Sequence, residues 1–345
     1  MRRVRDALLA DPFGERQKAP YGRDLEILGA RFEVTSNSRA LMNLFDSAFG
    51  SLPGDRTFQR RAPTPVIRLA LRLIQEPENS SARRREAPPP LQLESGAGFL
   101  IGRLRDAGSA VLAPHLAGGL VSVDRKLLRH PYHVRYELLE FAVYTLAARV
   151  VPLVPLHAAC VGDGLRAVLM PGDSGAGKST LAGHCLLEGL ELLSEDSVFV
   201  EPETLRARSV PNFLHLQASA IRVLGPAGRK LSQSRTGTIT RRSGVRKMEI
   251  DVRRRRLRIG SGPSPLAAVV FLSSARAESA RLLVPLSRDV FQKRLERTQP
   301  YAAAQKEWPR FLRHMLTLPA YELRRGAELR NSSAQLCTLL RCASR

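Results

Sequence analysis

The chain has 345 residues, more than one hydrophobic core usually organises, which predicts two domains. Its 43% hydrophobic and 25% charged residues match an ordinary globular protein and argue against a disordered or membrane-spanning class, and no run of about 18 apolar residues occurs. A formal net charge of +22 favours anionic partners, but the arginines are scattered and no basic stretch interleaved with aromatic residues stands out, which disfavours nucleic acid.

Residues 1–22 are polar, with Pro12, Gly14, Pro20 and Gly22, and read as a loosely held arm. Positive charge at Arg2, Arg3 and Arg5 is followed by Asp6, Asp11 and Glu15 before a signal-peptide core forms, so a cytoplasmic location is expected. Residues 25–34 alternate as a strand, Ser38 caps a helix over 39–49 with Leu41, Leu44, Phe45 and Ala48 on one face, and 66–74 alternates strictly. Residues 76–90, with Pro77, Asn79, three arginines and three prolines, lack apolar periodicity and predict a flexible loop. Short strands are expected at 91–93, 98–104, 110–114 and 119–123. Residues 1–125 thus form a small mixed α/β domain without a catalytic constellation, and 126–345 a second domain opened by a helix over 133–150. Cys160, Cys185, Cys337 and Cys342 lack the paired spacing of a zinc or redox site and are expected to be reduced and mostly packed.

Residues 154–161 and 165–170 flank Gly162-Asp163-Gly164, the pattern of a β-hairpin. A two- or three-residue turn there sets His157 opposite Leu169 or Met170, near the exit of the second strand. At that exit stands Gly172-Asp173-Ser174-Gly175-Ala176-Gly177-Lys178-Ser179-Thr180, leading into a helix-like run over 181–190. Three glycines let the backbone turn its N–H groups toward an anion at a helix N-terminus, so the segment reads as a phosphate-binding P-loop. Lys178 would bridge the terminal phosphates and the Ser179 hydroxyl would hold Mg²⁺, with ATP as the default nucleotide.

The next apolar strand, 189–200, is interrupted by Glu195-Asp196. A carboxylate at such a strand end can hold Mg²⁺, and a second can take a proton from an attacking hydroxyl. Adjacent acids alternate across a strand, so only one naturally faces the ligand. Further strands are expected at 247–252 and 266–272, and helices at 289–297 and around Trp308, Phe311, Leu312 and Met315, a stripe read as core.

Together, His157, the loop at 172–179 and Leu192-Leu193-Ser194-Glu195-Asp196 resemble the catalytic domain of HPr kinase/phosphorylase and its relatives, a group also similar to phosphoenolpyruvate carboxykinase. The resemblance covers about 155–200. It implies an α/β P-loop domain, catalytic roles for His157, Lys178, Glu195 and Asp196, and Mg²⁺ on Ser179 and Asp196. The chain departs from the family in having Glu195 where an aspartate is usual, which leaves the base open between Glu195 and Asp196. It also lacks a counterpart of the later Pro-Val-Arg-Pro-Gly-Arg-Asn-Leu signature, the nearest stretch being residues 263–270. The chain is therefore more similar to the HPr-kinase-like proteins of peptide natural-product pathways, some of which are thought to phosphorylate a serine of a precursor peptide.

The expected function is ATP-dependent transfer of the γ-phosphoryl group to a serine-type hydroxyl of a peptide or small protein. The arginine-dense segment 241–258 either docks an acidic substrate or forms a solvated strand pair. The alternatives are a small-metabolite kinase and a non-catalytic nucleotide-binding module. No membrane partner is expected, and homo-oligomerisation stays open.

Overall fold

Period-two burial builds the first sheet. The computed structural model describes residues 18–54, 64–74, 88–254, 257–277, 282–326 and 328–342. The arm over 1–17 and residues 76–87 of the expected flexible loop lie outside the described residues. The chain divides into two compact units, Met1–Gly50 with Ala62–Val151, and Ser51–Arg61 with Pro152–Arg345.

In the first unit, β1 (Tyr21–Ile27), β2 (Ala30–Ser36), β3 (Val66–Ile74), β4 (Gln92–Gly96), β5 (Phe99–Arg103), β6 (Gly108–Ala113) and β7 (Gly118–Asp124) form one seven-stranded sheet in the order β1-β2-β3-β7-β6-β5-β4. Ala30, Phe32 and Val34 of β2 and Ile67, Leu69 and Leu71 of β3 turn inward and are fully buried. The helix Arg39–Phe49 covers that face with Leu41, Phe45 and Ala48, and the Ser38 side chain caps it by accepting from the Leu41 N–H. The single strand expected over 25–34 is instead a hairpin. Leu28 and Gly29 both take positive φ, +54° and +85°, and form its turn, and Ile27 pairs with Ala30. Leu-Gly lacks the Asn-Gly or Asp-Gly signal of such turns, and apolar residues on both arms disguised the reversal. The helical stretch from Pro131 to Val150 contains a π-helical segment, Val134–Glu140, where Arg135 and Glu140 are buried with Nε and Oε1 3.5 Å apart. Its last part, Phe141–Val150, packs on β6 and β7, so it belongs to the first unit rather than opening the second.

In the second unit, β8 (Val154–Gly162), β9 (Ala167–Pro171), β10 (Glu191–Ser194), β11 (Ser197–Val200), β12 (Arg206–Arg208), β16 (Ser264–Arg276), β17 (Leu283–Pro285) and β18 (Ala320–Arg325) form a mixed eight-stranded sheet. The intervening β13 (Phe213–Leu216), β14 (Arg235–Thr240) and β15 (Arg246–Asp251) make a separate three-stranded sheet. β9 runs parallel to β16, and β16 parallel to β18. One face of the large sheet, through Ala159, Val161, Val168 and Met170, packs with Leu181 and Cys185 of the helix Lys178–Leu187, Leu336 of the helix Leu329–Cys342, and Leu214 and Ile250 of the small sheet. The other face, through Leu156, Cys160, Leu169 and Val198, packs on Phe291, Trp308, Phe311 and Met315. The aromatic stripe is therefore core, as its spacing implied. Cys160 and Cys185 are free, buried thiols.

β8 and β9 are the expected hairpin, but its connection is the four residues Asp163–Arg166, with Gly162 opposite Ala167 and Ala158 opposite Pro171. Asp163 makes the longer turn by accepting the N–H groups of Leu165 and Arg166 on its Oδ1. His157 therefore does not face Leu169 or Met170. It lies one step beyond the last rung to β9 and pairs on its other side with Ser197. β10 and β11 follow β8 in turn, interrupted at Glu195 and Asp196. Leu192 pairs with Val161 and Ser194 with Cys160, so Leu193 is an extra residue, a β-bulge. Among the described residues, no helix is long and apolar enough to cross a membrane.

Candidate functional site

β9 ends at Pro171 and the next helix begins at Lys178. The residues between them are the glycine-rich loop, in which Gly172, Gly175 and Gly177 take φ of +153°, +85° and +100°. A Cβ built on Gly175 or Gly177 meets nothing within 4 Å, so backbone conformation alone demands glycine there and the loop stands open. Asp173, Ser174 and Gly175 are exposed, while Ala176, Gly177, Ser179 and Thr180 are half-buried. The Ala176 N–H donates to the Asp173 carbonyl at 3.2 Å, which tightens the turn. Gly177 is the helix N-cap and brings no side chain to cover the first N–H groups.

Lys178 turns back into the loop. It is buried, and its Nζ donates to the carbonyls of Gly172 at 2.5 Å and Asp173 at 3.1 Å. Nζ also lies 3.3 Å from His157 Nε2, and His157 Nδ1 lies 3.3 Å from Asp196 Oδ1. An ammonium donating to Nε2 leaves the ring proton on Nδ1, facing that carboxylate. Burial lowers the Lys178 pKa below the usual lysine value, opposed by the charges of Asp196, Glu195 and Asp173. The His157 backbone is fixed where β9 has ended. The side-chain amide of buried Gln299 accepts its N–H at 2.7 Å and donates to its carbonyl at 3.0 Å.

The two adjacent acids part company at the break between β10 and β11. Glu195 is buried, accepts the Ser179 hydroxyl on Oε1 and meets His215 Nδ1 with Oε2 at 3.1 Å. Asp196 is partly exposed, and its second oxygen lies 3.7 Å from Arg241 Nη2. The structure thus brings Ser179 to Glu195, not to Asp196, its expected partner as a metal ligand. The physical reason is the bulge at Leu193 and the bend after it, which aim Glu195 at the helix and Asp196 toward His157.

The arginine-dense segment divides as well. Arg253 and Arg254 are bound to Asp251, with Arg253 also 5.1 Å over the Phe213 ring, and Arg258 donates to the carbonyls of Asp163 and Gly189. These three hold the fold, while Arg241 reaches the site. His215, Glu249 and Gln299 escaped the sequence reading. His215 had a faint signal, one titratable residue within the apolar run Phe213–Leu216, whereas Gln299 stands just past a helix end and had none.

Among the described residues, no group of three or more His, Cys, Asp or Glu has the arrangement of a metal cage. Mg²⁺ characteristically needs only one or two carboxylates beside water and phosphate oxygens, and the oxygen pair of Ser179 and Glu195 fits that demand. The open glycine backbone with an enclosed ammonium fits a polyphosphate. No protein-family model and no curated protein matches this chain.

Proposed function

We propose that the second unit is an HPr-kinase-like P-loop phosphotransferase that moves the γ-phosphoryl group of ATP to a serine-type hydroxyl of a peptide or small protein. The observation that carries this reading is the convergence of the Lys178 ammonium, inside its glycine loop, with His157 and two differently placed carboxylates.

Lys178 and the N–H groups at the start of its helix would neutralise charge on the transferring group. Ser179 and Glu195 would hold Mg²⁺, which when bound would supply charge neutralisation for the nucleotide. Asp196 is the better base. Its carboxylate is partly accessible, whereas that of Glu195 is buried between Ser179 and His215. Asp196 takes the acceptor's hydroxyl proton as the new O–P bond forms, the β–γ bridging bond breaks and nucleoside diphosphate leaves. His157 orients Asp196 through Nδ1–H. Arg241, 3.7 Å from Asp196, and exposed Arg242 and Arg246 at the same hairpin end support an acceptor with acidic residues near its hydroxyl.

The test is mass spectrometry of serine peptides, with acidic and with neutral flanks, after incubation with ATP and Mg²⁺. A phosphate on the acidic series, lost in Asp196→Asn by about 100-fold or more while nucleotide affinity stays within about threefold, is expected. Phosphate entering only free amino acids or sugars would overturn the peptide acceptor, and unchanged transfer by Asp196→Asn would overturn the base.

A further inference from the structure

Behind the loop lies a chain of buried polar groups to which the proposed reaction assigns no proton transfer. His215 of β13 stands directly opposite Glu249 of β15, and its Nε2 is 3.4 Å from Glu249 Oε2. Its other nitrogen, Nδ1, is 3.1 Å from Glu195 Oε2. All three side chains are buried, at 4%, 6% and 5% residue exposure for Glu195, His215 and Glu249. The chain is closed at both ends by hydroxyls, Ser179 on Glu195 Oε1 and Thr236 on Glu249 Oε1, the latter at 2.8 Å. Every carboxylate oxygen in it thus faces a donor.

The ring is held between the two carboxylates, and its Nδ1 contact takes up the Glu195 oxygen that does not face Ser179. The Phe213 ring, 6.2 Å away, is the apolar neighbour on its own strand. An unsupported Glu195 would be free to rotate away from Ser179.

We infer that His215 is a positioning residue, which grips one oxygen of Glu195 so that the other stays fixed beside the Ser179 hydroxyl for a divalent cation. The inference rests on the nucleotide-binding reading above. Outer-sphere partners of this kind are characteristically worth about 10–100-fold in metal affinity.

The test is Mn²⁺ binding in the presence of a non-hydrolysable ATP analogue, followed through the paramagnetic resonance signal of free Mn²⁺ in the full-length protein. His215→Leu should weaken Mn²⁺ at least about tenfold while the analogue without metal binds within about threefold of the parent. His215→Gln, which keeps one N–H for Glu195, should recover part of the loss. Glu249→Gln, which leaves the Glu195–His215 contact intact, should stay within about threefold for Mn²⁺. A folded His215→Leu protein with parental Mn²⁺ affinity would overturn the inference, as would equal weakening by Glu249→Gln, which marks general loss of packing. Should His215→Leu not fold, His215→Phe, which keeps a ring but brings no N–H to Glu195, is read in its place against the same two outcomes. Absence of any metal-dependent nucleotide uptake by the parent protein would instead remove the nucleotide reading itself, and this inference with it.

Discussion

Replacing Gln299 by leucine separates scaffold from chemistry, because Gln299 touches the site only through the backbone of His157. Beyond Ala158 the strand β9 has ended, and the Gln299 amide substitutes for the missing neighbour by pairing with both the N–H and the carbonyl of His157. Leucine has nearly the same volume but removes both hydrogen bonds. At a net value of about 1 kcal/mol each, the loss is about 2 kcal/mol, rising to about 4 kcal/mol if the freed backbone groups stay dry. For a unit of this size about 2 kcal/mol corresponds to a melting shift of about 4–8 °C. Glutamate should do no better, since it sets an oxygen against the His157 carbonyl where the amide nitrogen donated. Scanning calorimetry of the full chain would give the shift, and hydrogen exchange at the His157 amide would show lost protection. A Gln299→Leu protein that melts within about 1 °C of the parent, with the His157 amide still protected, would refute the backbone-substitution argument.

Lys178→Met should lower kcat about 100-fold or more without unfolding the chain, since it removes the ammonium at the phosphates; parental turnover in the peptide assay would contradict this. Gly177→Ala should cost about 1–2 kcal/mol by strain alone at φ +100°, because its methyl meets no neighbour, and denaturant titration would detect it. For His215 the folded pKa is raised, so its contribution to stability is complete below the unfolded value of about 6.5 and is lost as pH rises through the folded value. Melting of metal-free protein as pH rises above about 6.5 should therefore decline more steeply than in His215→Gln; parallel profiles would exclude the charged ring.

Much of the site was legible because its parts sit close together in the chain. The loop from Gly172 to Ser179, the hairpin before it and the acid pair after it all lie within about 155–200, where local turn chemistry and apolar alternation decide the structure. The hairpin register was less legible. It depended on Asp163 capturing two N–H groups, which lengthened the turn. The partners from afar were not legible at all. Gln299 lies 142 residues from His157, and Glu249 lies 34 from His215, and neither carries a periodicity or motif that announces its contact. The arginine-dense segment left two readings open, and which arginines stay with the fold is fixed by carboxylates and carbonyls that Arg253, Arg254 and Arg258 meet there.

The surplus residue Leu193 has an outcome reaching past its own strand. Before it, Leu192 shares a core with the helix Lys178–Leu187; after it, Val198 belongs to the opposite core. One inserted position thus inverts parity, and Glu195 comes to look at the serine. Were Leu193 to take the rung opposite Cys160 in place of Ser194, every later residue would slip by one and the outlooks of Glu195 and Asp196 would be traded with no change to either. Spacing, as much as side-chain identity, writes the order in which these two acids are read.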